Sequence, residues 1–132
     1  MKDDRLIYLS FFGRSYPLCM TVLAHHQVEE MWGGLDSLSE LLSDAGSNGL
    51  TAWCQLLRIL MDGGASRVRA LCWMDQQEAP ELPEIPDLEV LTKIIGWSDI
   101  NAFSQTIMEA VGVSTQQTVE VAEEKNVETT QG

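Results

Sequence analysis

Large apolar residues stop at Gly112, and this boundary limits what the chain can fold into. Before it Leu, Ile, Trp and Met are frequent, whereas residues 113–132 contain no Leu, no Ile and no aromatic residue. A segment without large apolar side chains cannot bury enough surface to offset the conformational entropy that folding removes. The sequence therefore predicts one folded domain over residues 1–112 and a disordered acidic tail over residues 113–132.

The charge balance excludes several classes of partner. The 132 residues include 20 acids and 8 bases, for a net charge of -12, which repels both nucleic-acid phosphates and anionic membrane surfaces.

The odd number of cysteines, all in apolar surroundings, suits a reducing compartment better than a disulfide framework. No apolar run approaches transmembrane length, and the start MKDDR is unlike a secretory signal. We expect a cytoplasmic protein.

Two apolar runs near the N-terminus predict a β-hairpin. Residues 6–12 and 15–20 flank Gly13 and Arg14, and a glycine at the first position of a two-residue loop favours a type II′ turn. That turn would pair Phe11 with Tyr16, Leu9 with Leu18, and Ile7 with Met20. One face of the hairpin is then apolar and must pack against helices.

The rest of the domain has the apolar spacing of about six helices. Their predicted N-caps are Thr21, Asp36 or Ser37, Asp87 and Ser98. Glycine is the residue that most readily adopts the left-handed conformation at a helix end, and five glycines stand at the predicted ends: Gly33, Gly46, Gly63, Gly96 and Gly112. The third helix, over residues 50–62, is the most apolar and should be central. The predicted fold is mainly α (α+β), with an N-terminal two-stranded hairpin packed on this bundle.

An acidic, proline-rich stretch precedes the last two predicted helices. Three prolines interrupt a run of six acids that contains no base: Asp75, Glu78, Glu81, Glu84, Asp87 and Glu89. Proline disfavours helix in the residue before it, and like charges repel. We interpret the stretch as a solvated, extended connector rather than an acidic docking strip.

The titratable residues give no catalytic pattern. His25 and His26 each have a carboxylate four residues later, at Glu29 and Glu30, but neighbouring helix residues point about 100° apart and cannot form one tight site alone. A metal needs three or four ligands, and neither HExxH nor CxxC is present. A thiolate pair of Cys19 with either histidine is a weaker alternative to simple packing. We predict a protein that is not an enzyme and has no metal and no cofactor.

The tryptophans are the candidate binding residues. Trp53 should be in the core, whereas the other three lie at predicted helix ends, and Trp73 with Met74 borders the proline-rich connector. Such residues either cover the core or form part of a partner groove, and an apolar face of this kind can also serve self-association. The candidate partner-binding residues are Trp32, Trp73, Met74 and Trp97.

Four segments, taken in order, resemble the tail assembly chaperones of long-tailed bacteriophages and prophages. FGRSYPL at residues 12–18 is similar to that family's F-x-G-K-x-Y-x-L opening, and MWGGLDSLSELL at residues 31–42 is similar to its turn and short Leu-rich helix. The apolar helix at residues 53–60 and the IMEAV segment at residues 107–111, before an acidic tail, complete the series.

The resemblance implies a non-enzymatic protein of the bacterial host cytoplasm. It would bind the long, apolar, helical tape-measure protein and keep it soluble while tail-tube protein assembles around it. The family's motifs are structural, so no catalytic or binding residue carries over. The alternative is another small acidic binding protein, either a secretion-type chaperone or an antagonist of a host factor, although the dominant helical pattern disfavours a secretion-type chaperone.

A further hypothesis, which the resemblance implies, is that the tail marks the junction between a short and a longer product. Many such genes yield a longer product by frameshifting near the end of the short form. Glu124, Lys125 and Asn126 can be encoded as GAA-AAA-AAC, which contains the slippery run A-AAA-AAC. A chance occurrence of these three residues is the alternative, and the codons would decide between them.

Overall fold

The structure is a computed structural model that describes the backbone of residues 6–124 and the side chains of residues 6–112. Its elements, in chain order, are β1 (Ile7–Phe11), β2 (Arg14–Leu18), α1 (Val22–Trp32), α2 (Leu35–Leu42), α3 (Ser47–Met74), α4 (Leu88–Ile94) and α5 (Trp97–Glu124). The predicted α+β fold, a two-stranded antiparallel hairpin packed on helices, is confirmed. The described residues form five helices rather than the six predicted.

The hairpin forms with a different turn from the one predicted. Its two-residue turn is Phe12-Gly13, with φ of 49° and 79°, and it pairs Phe11 with Arg14. Two positive φ angles are typical of a type I′ turn, whose twist matches that of the strands, so the predicted type II′ turn was wrong. The pairing moves by two residues, to Leu9 with Tyr16 and Ile7 with Leu18. A shift of two keeps each side chain on its predicted face.

The predicted helix end at Gly63 was wrong, because the third and fourth predicted helices form one 28-residue helix, α3. The glycines at this point allow close packing instead of ending the helix. A Cβ on Gly63 would lie 2.2 Å from the carbonyl oxygen of Cys19, and one on Gly64 would lie 1.9 Å from that of Pro17. The backbone of β2 therefore lies directly on α3, where Cys19 N–H also donates to the carbonyl of Leu60 at 3.1 Å.

The predicted helix starts are partly right. Thr21 is the N-cap of α1, and its hydroxyl accepts a hydrogen bond from Ala24 N–H at 3.1 Å. Neither Asp36 nor Ser37 caps α2, which begins at Leu35 after Gly34. Asp87 occupies the N-cap position of α4 without a side-chain capping bond.

The last helix begins and ends differently from the prediction. It starts at Trp97 and not after Ser98, and the Asp99 carboxylate accepts a hydrogen bond from Gly96 N–H at 2.9 Å. It continues through Gly112, which is tolerated inside a helix at a cost of about 1 kcal/mol relative to alanine. The predicted disordered tail over residues 113–132 thus overlaps α5 as far as Glu124, and its remaining residues, 125–132, lie outside the described part of the chain.

The core surrounds α3, as predicted for the most apolar helix. Trp53 is only 8% exposed, and α3 packs against β2 and all four other helices. At the β1 strand of the hairpin, the Phe11 ring meets the Phe103 ring of α5 edge to face, with centroids 5.6 Å apart. The acidic connector follows the surface, where Tyr16 Oη–H donates to the Glu84 carbonyl at 3.1 Å.

Candidate functional site

The four predicted binding residues differ in how much of each side chain solvent can reach. Trp73 is 76% exposed and Met74 is 69% exposed, both in the last turn of α3. Trp97, the first residue of α5, is 37% exposed. Trp32 ends α1 and is partly buried against the core, as a residue that covers the core would be. The structure thus leaves Trp73 and Met74 as the most accessible pair.

A groove runs between α1 and α3 on one face of the molecule. It consists of two adjoining depressions of about 390 and 310 Å³, which share Gln27, Ile59 and Asp62. The lining residues that define this α1–α3 groove are Leu23, Gln27, Glu30 and Met31 from α1, with Gln55, Ile59, Asp62, Ser66 and Ala70 from α3. Within the part of the chain that has described side chains, none of the four predicted binding residues lines it.

Helix periodicity explains why these residues share the groove. On α1 they lie at intervals of four, three and one residue, and on α3 at intervals of four, three, four and four, so each set forms one stripe along its helix. The stripe on α3, from Gln55 to Ala70, is about 22 Å long at 1.5 Å per residue. Two stripes side by side with a depression between them form a surface on which a third helix can pack.

The glycine contact of the fold positions this surface. A Cβ on Gly63 would lie 3.5 Å from the hydroxyl oxygen of Thr21, the N-cap of α1. The first turn of α1 is therefore held close to the middle of α3, and Leu23 stays 66% exposed at the edge of the groove. Ile59, 8% exposed, is among the buried core residues and contributes to the floor.

Helix periodicity places the exposed end of α3 on the same face of the helix as the groove, although its two end residues do not line it. Trp73 follows Ser66 by seven residues, and Met74 follows Ala70 by four, so both extend the helix face that lines the groove. Together with Leu23 and Met31, which is 48% exposed, they leave a series of large apolar side chains in contact with solvent. Large apolar side chains exposed on a folded domain are candidates for an interaction site.

The edges of the groove carry charges of both signs. Glu30 and Asp62 are acidic, whereas Arg58 lines the depression nearer α4 and Arg67 the one nearer the end of α3. The guanidinium Nε of Arg58 donates to the Pro86 carbonyl at 3.2 Å, which holds this side chain against the connector. These two acids and two arginines cancel in number, although the protein as a whole has a net charge of -12.

The titratable residues form no cluster that resembles a catalytic site in the described chain. His26 Nδ1 lies 3.9 Å from Glu29 Oε1, and both side chains are 66% exposed, which is typical of a weak surface pair. Burial raises the pKa of the Cys54 thiol, which disfavours the reactive thiolate. Among the described residues, no three His, Cys, Asp or Glu side chains are placed to hold a metal ion.

Sequence reasoning missed Leu23 and Met31. Both fall in a helix whose buried side consists of Ala24 and Val28, and an isolated apolar residue on a helix surface is common enough to carry no signal. A signal was present in the spacing of Leu23, Gln27 and Met31 at four-residue intervals, which places a second, half-apolar stripe beside the buried one. Only the position of α3 shows that this stripe borders a groove.

Comparison of the chain with protein-family models, with curated protein sequences and with solved structures finds no match. Among the described residues, no helix combines the length and apolar character that crossing a membrane requires.

Proposed function

We propose that the protein is a tail assembly chaperone of a bacteriophage or prophage. It binds the tape-measure protein and keeps it soluble while tail-tube protein assembles around it in the bacterial host cytoplasm. The observation that carries the proposal is the exposure of Trp73, Met74 and Leu23 on a body with a net charge of -12. The order of the four resembling segments supports the choice of this family.

The physical requirements of such a chaperone match this surface. A long apolar client aggregates through the same side chains that a chaperone must contact, so the chaperone needs exposed apolar groups of its own. Its charge must prevent the chaperone and its complex from aggregating in turn, and a large net charge of one sign does this. The action is binding at a surface and involves no bond cleavage, so we propose a protein that is not an enzyme.

The test is co-expression with the tape-measure-length protein encoded in the same phage or prophage. We expect the tape-measure protein to be soluble and to co-purify with the wild-type chain, and to precipitate without it. Replacing both Trp73 and Met74 with serine should lower the soluble fraction. The matched control is Ile94→Ser, which removes an apolar side chain that is 42% exposed on α4 and should leave solubility unchanged.

Two outcomes would count against the proposal. One is a tape-measure protein that remains insoluble when the folded wild-type chain is present in excess. The other is recovery of a stoichiometric complex with a host enzyme and none with the tape-measure protein, which would indicate an antagonist of a host factor.

The tail enters the proposal as the junction between a short and a long product. Residues 125–132 lie outside the described part of the chain, so the support for a frameshift is the Glu-Lys-Asn sequence alone. Codons that interrupt the A-run, or the absence of an overlapping downstream frame, would remove this part of the proposal.

A further inference from the structure

We infer that the α1–α3 groove is a docking site for one amphipathic, net-basic α-helix of a partner chain. The inference rests on the proposed function, which it deepens by naming the kind of client segment that the groove holds. Three features carry it: the shape of the groove, the position of its apolar groups and the charge of the body.

The shape selects a helix. The groove lies between two helical stripes, and its length on α3, about 22 Å from Gln55 to Ala70, equals about 15 residues of helix. A strand would need unpaired backbone groups with which to form hydrogen bonds, whereas α1 and α3 use their backbone groups within each helix. Side chains of a third helix can instead fit between the rows of side chains on the first two.

The apolar groups are spaced to receive such a helix. Leu23 and Met31 lie eight residues apart at the α1 edge. By helix periodicity Trp73 falls on the same face of α3, three residues beyond Ala70 and outside the lining itself. Between them the lining is Ile59 with the small residues of α3, and Asp62 is the one acid common to both depressions. A helix with apolar residues at intervals of three and four can place one at each of these points.

The negative charge of the protein favours basic residues on the exposed side of the partner helix. With its apolar face in the groove, its opposite face stands over a protein with a net charge of -12. Arg58 and Arg67 also line the groove, but the Arg58 guanidinium already donates to the Pro86 carbonyl. Glu29, 66% exposed on the outer side of α1, and Glu30 and Asp62 at the groove are the acids that a partner helix would meet. Lysine or arginine on the outer face of the partner is therefore favoured, and acidic residues there are repelled.

The test uses a synthetic 18-residue peptide with Leu and Ala on one helical face and Lys on the other. We expect the wild-type chain to bind it and to induce helix in it, as measured by circular dichroism, with weaker binding at higher salt. Leu23→Asp should weaken binding about thirtyfold, which corresponds to about 2 kcal/mol, because the leucine side chain is no longer buried against the peptide. Ala70→Glu, on the opposite edge, should also weaken it.

Val22→Asp is the matched control. Val22 is 75% exposed, stands next to Leu23 in the first turn of α1 and does not line the groove. Both variants add one carboxylate to the same turn, so their effects on net charge and on the helix end are equal. We expect Val22→Asp to bind the peptide within twofold of wild type.

Two results would overturn the docking site. One is equal loss of binding in Val22→Asp and Leu23→Asp when both remain cooperatively folded. The other is equal binding of a scrambled peptide of the same composition, which would show attraction by charge alone. If the tape-measure protein fails to co-purify while the peptide results hold, the proposed function fails and the docking site stands. If the peptide does not bind but the tape-measure complex forms, the docking site fails alone.

Discussion

The contact between α3 and β2 gives the sharpest prediction about the fold. In Gly64→Ala, the new Cβ would lie 1.9 Å from the Pro17 carbonyl oxygen, where ordinary contact begins at 3.4 Å, so strand and helix must separate by about 1.5 Å. The atom that must move belongs to the backbone and cannot rotate away. Overpacking of this kind costs about 1 to 3 kcal/mol.

Two further effects decide how far Gly64→Ala lowers the free energy of unfolding. Separation would weaken the hydrogen bond from Cys19 N–H to the Leu60 carbonyl, which is worth about 1 kcal/mol. Alanine is better than glycine inside a helix by up to about 1 kcal/mol, which offsets that loss. We therefore expect the free energy of unfolding to fall by about 2 kcal/mol.

The assay is urea unfolding followed by tryptophan fluorescence. A loss of about 2 kcal/mol should lower the unfolding midpoint by about 1 M, given the slopes typical of small domains. Gly112→Ala is the control, because that glycine is also helical and a Cβ there meets nothing within 4 Å. This control should raise the free energy of unfolding by about 0.5 to 1 kcal/mol. A midpoint for Gly64→Ala at or above that of wild type would refute the close contact.

Three other changes test individual contacts. Thr21→Ala removes the cap of α1 and should cost about 1 kcal/mol in thermal or urea unfolding, whereas Thr21→Ser should cost much less. Tyr16→Phe removes the hydroxyl that donates to the Glu84 carbonyl and should cost about 1 kcal/mol; an unchanged stability would show that this bond does not hold the connector. Because burial raises the pKa of Cys54, the unfolded thiol ionises first. The free energy of unfolding should thus be unaffected by this group below about pH 8.5 and fall as pH rises further. A Cys54→Ala variant should lack that slope.

Local chemistry explains what could be predicted from the sequence. Alternation in residues 6–20 identified the hairpin and its two faces, and Thr21 was recognisable as a cap because its hydroxyl acts within one turn of the chain. The exact pairing was not predictable in this way. A turn with Phe12 at a left-handed position is uncommon, and its ring packs on Phe11 at 4.7 Å.

Long-range packing explains what could not be predicted. In the sequence Gly63 and Gly64 look like a helix end, because glycine often ends helices. Glycine also allows two backbones to approach closely, and only the position of β2 shows that this second role applies here. The candidate binding surface shows the same limit. Trp73 and Met74 were predicted from their size and place in the chain, but Leu23 became significant only when α3 was found beside it.

The most direct test of the central claim, that the protein works by binding a client through this surface, is site-specific photocrosslinking. A photoreactive amino acid would replace Leu23 in one variant and Glu109, an exposed residue of α5 outside the groove lining, in another, with the tape-measure protein co-expressed. We predict a strong crosslink to the tape-measure protein from position 23 and a weak one or none from position 109. Equal yields at the two positions, or a crosslink from position 109 alone, would contradict the account.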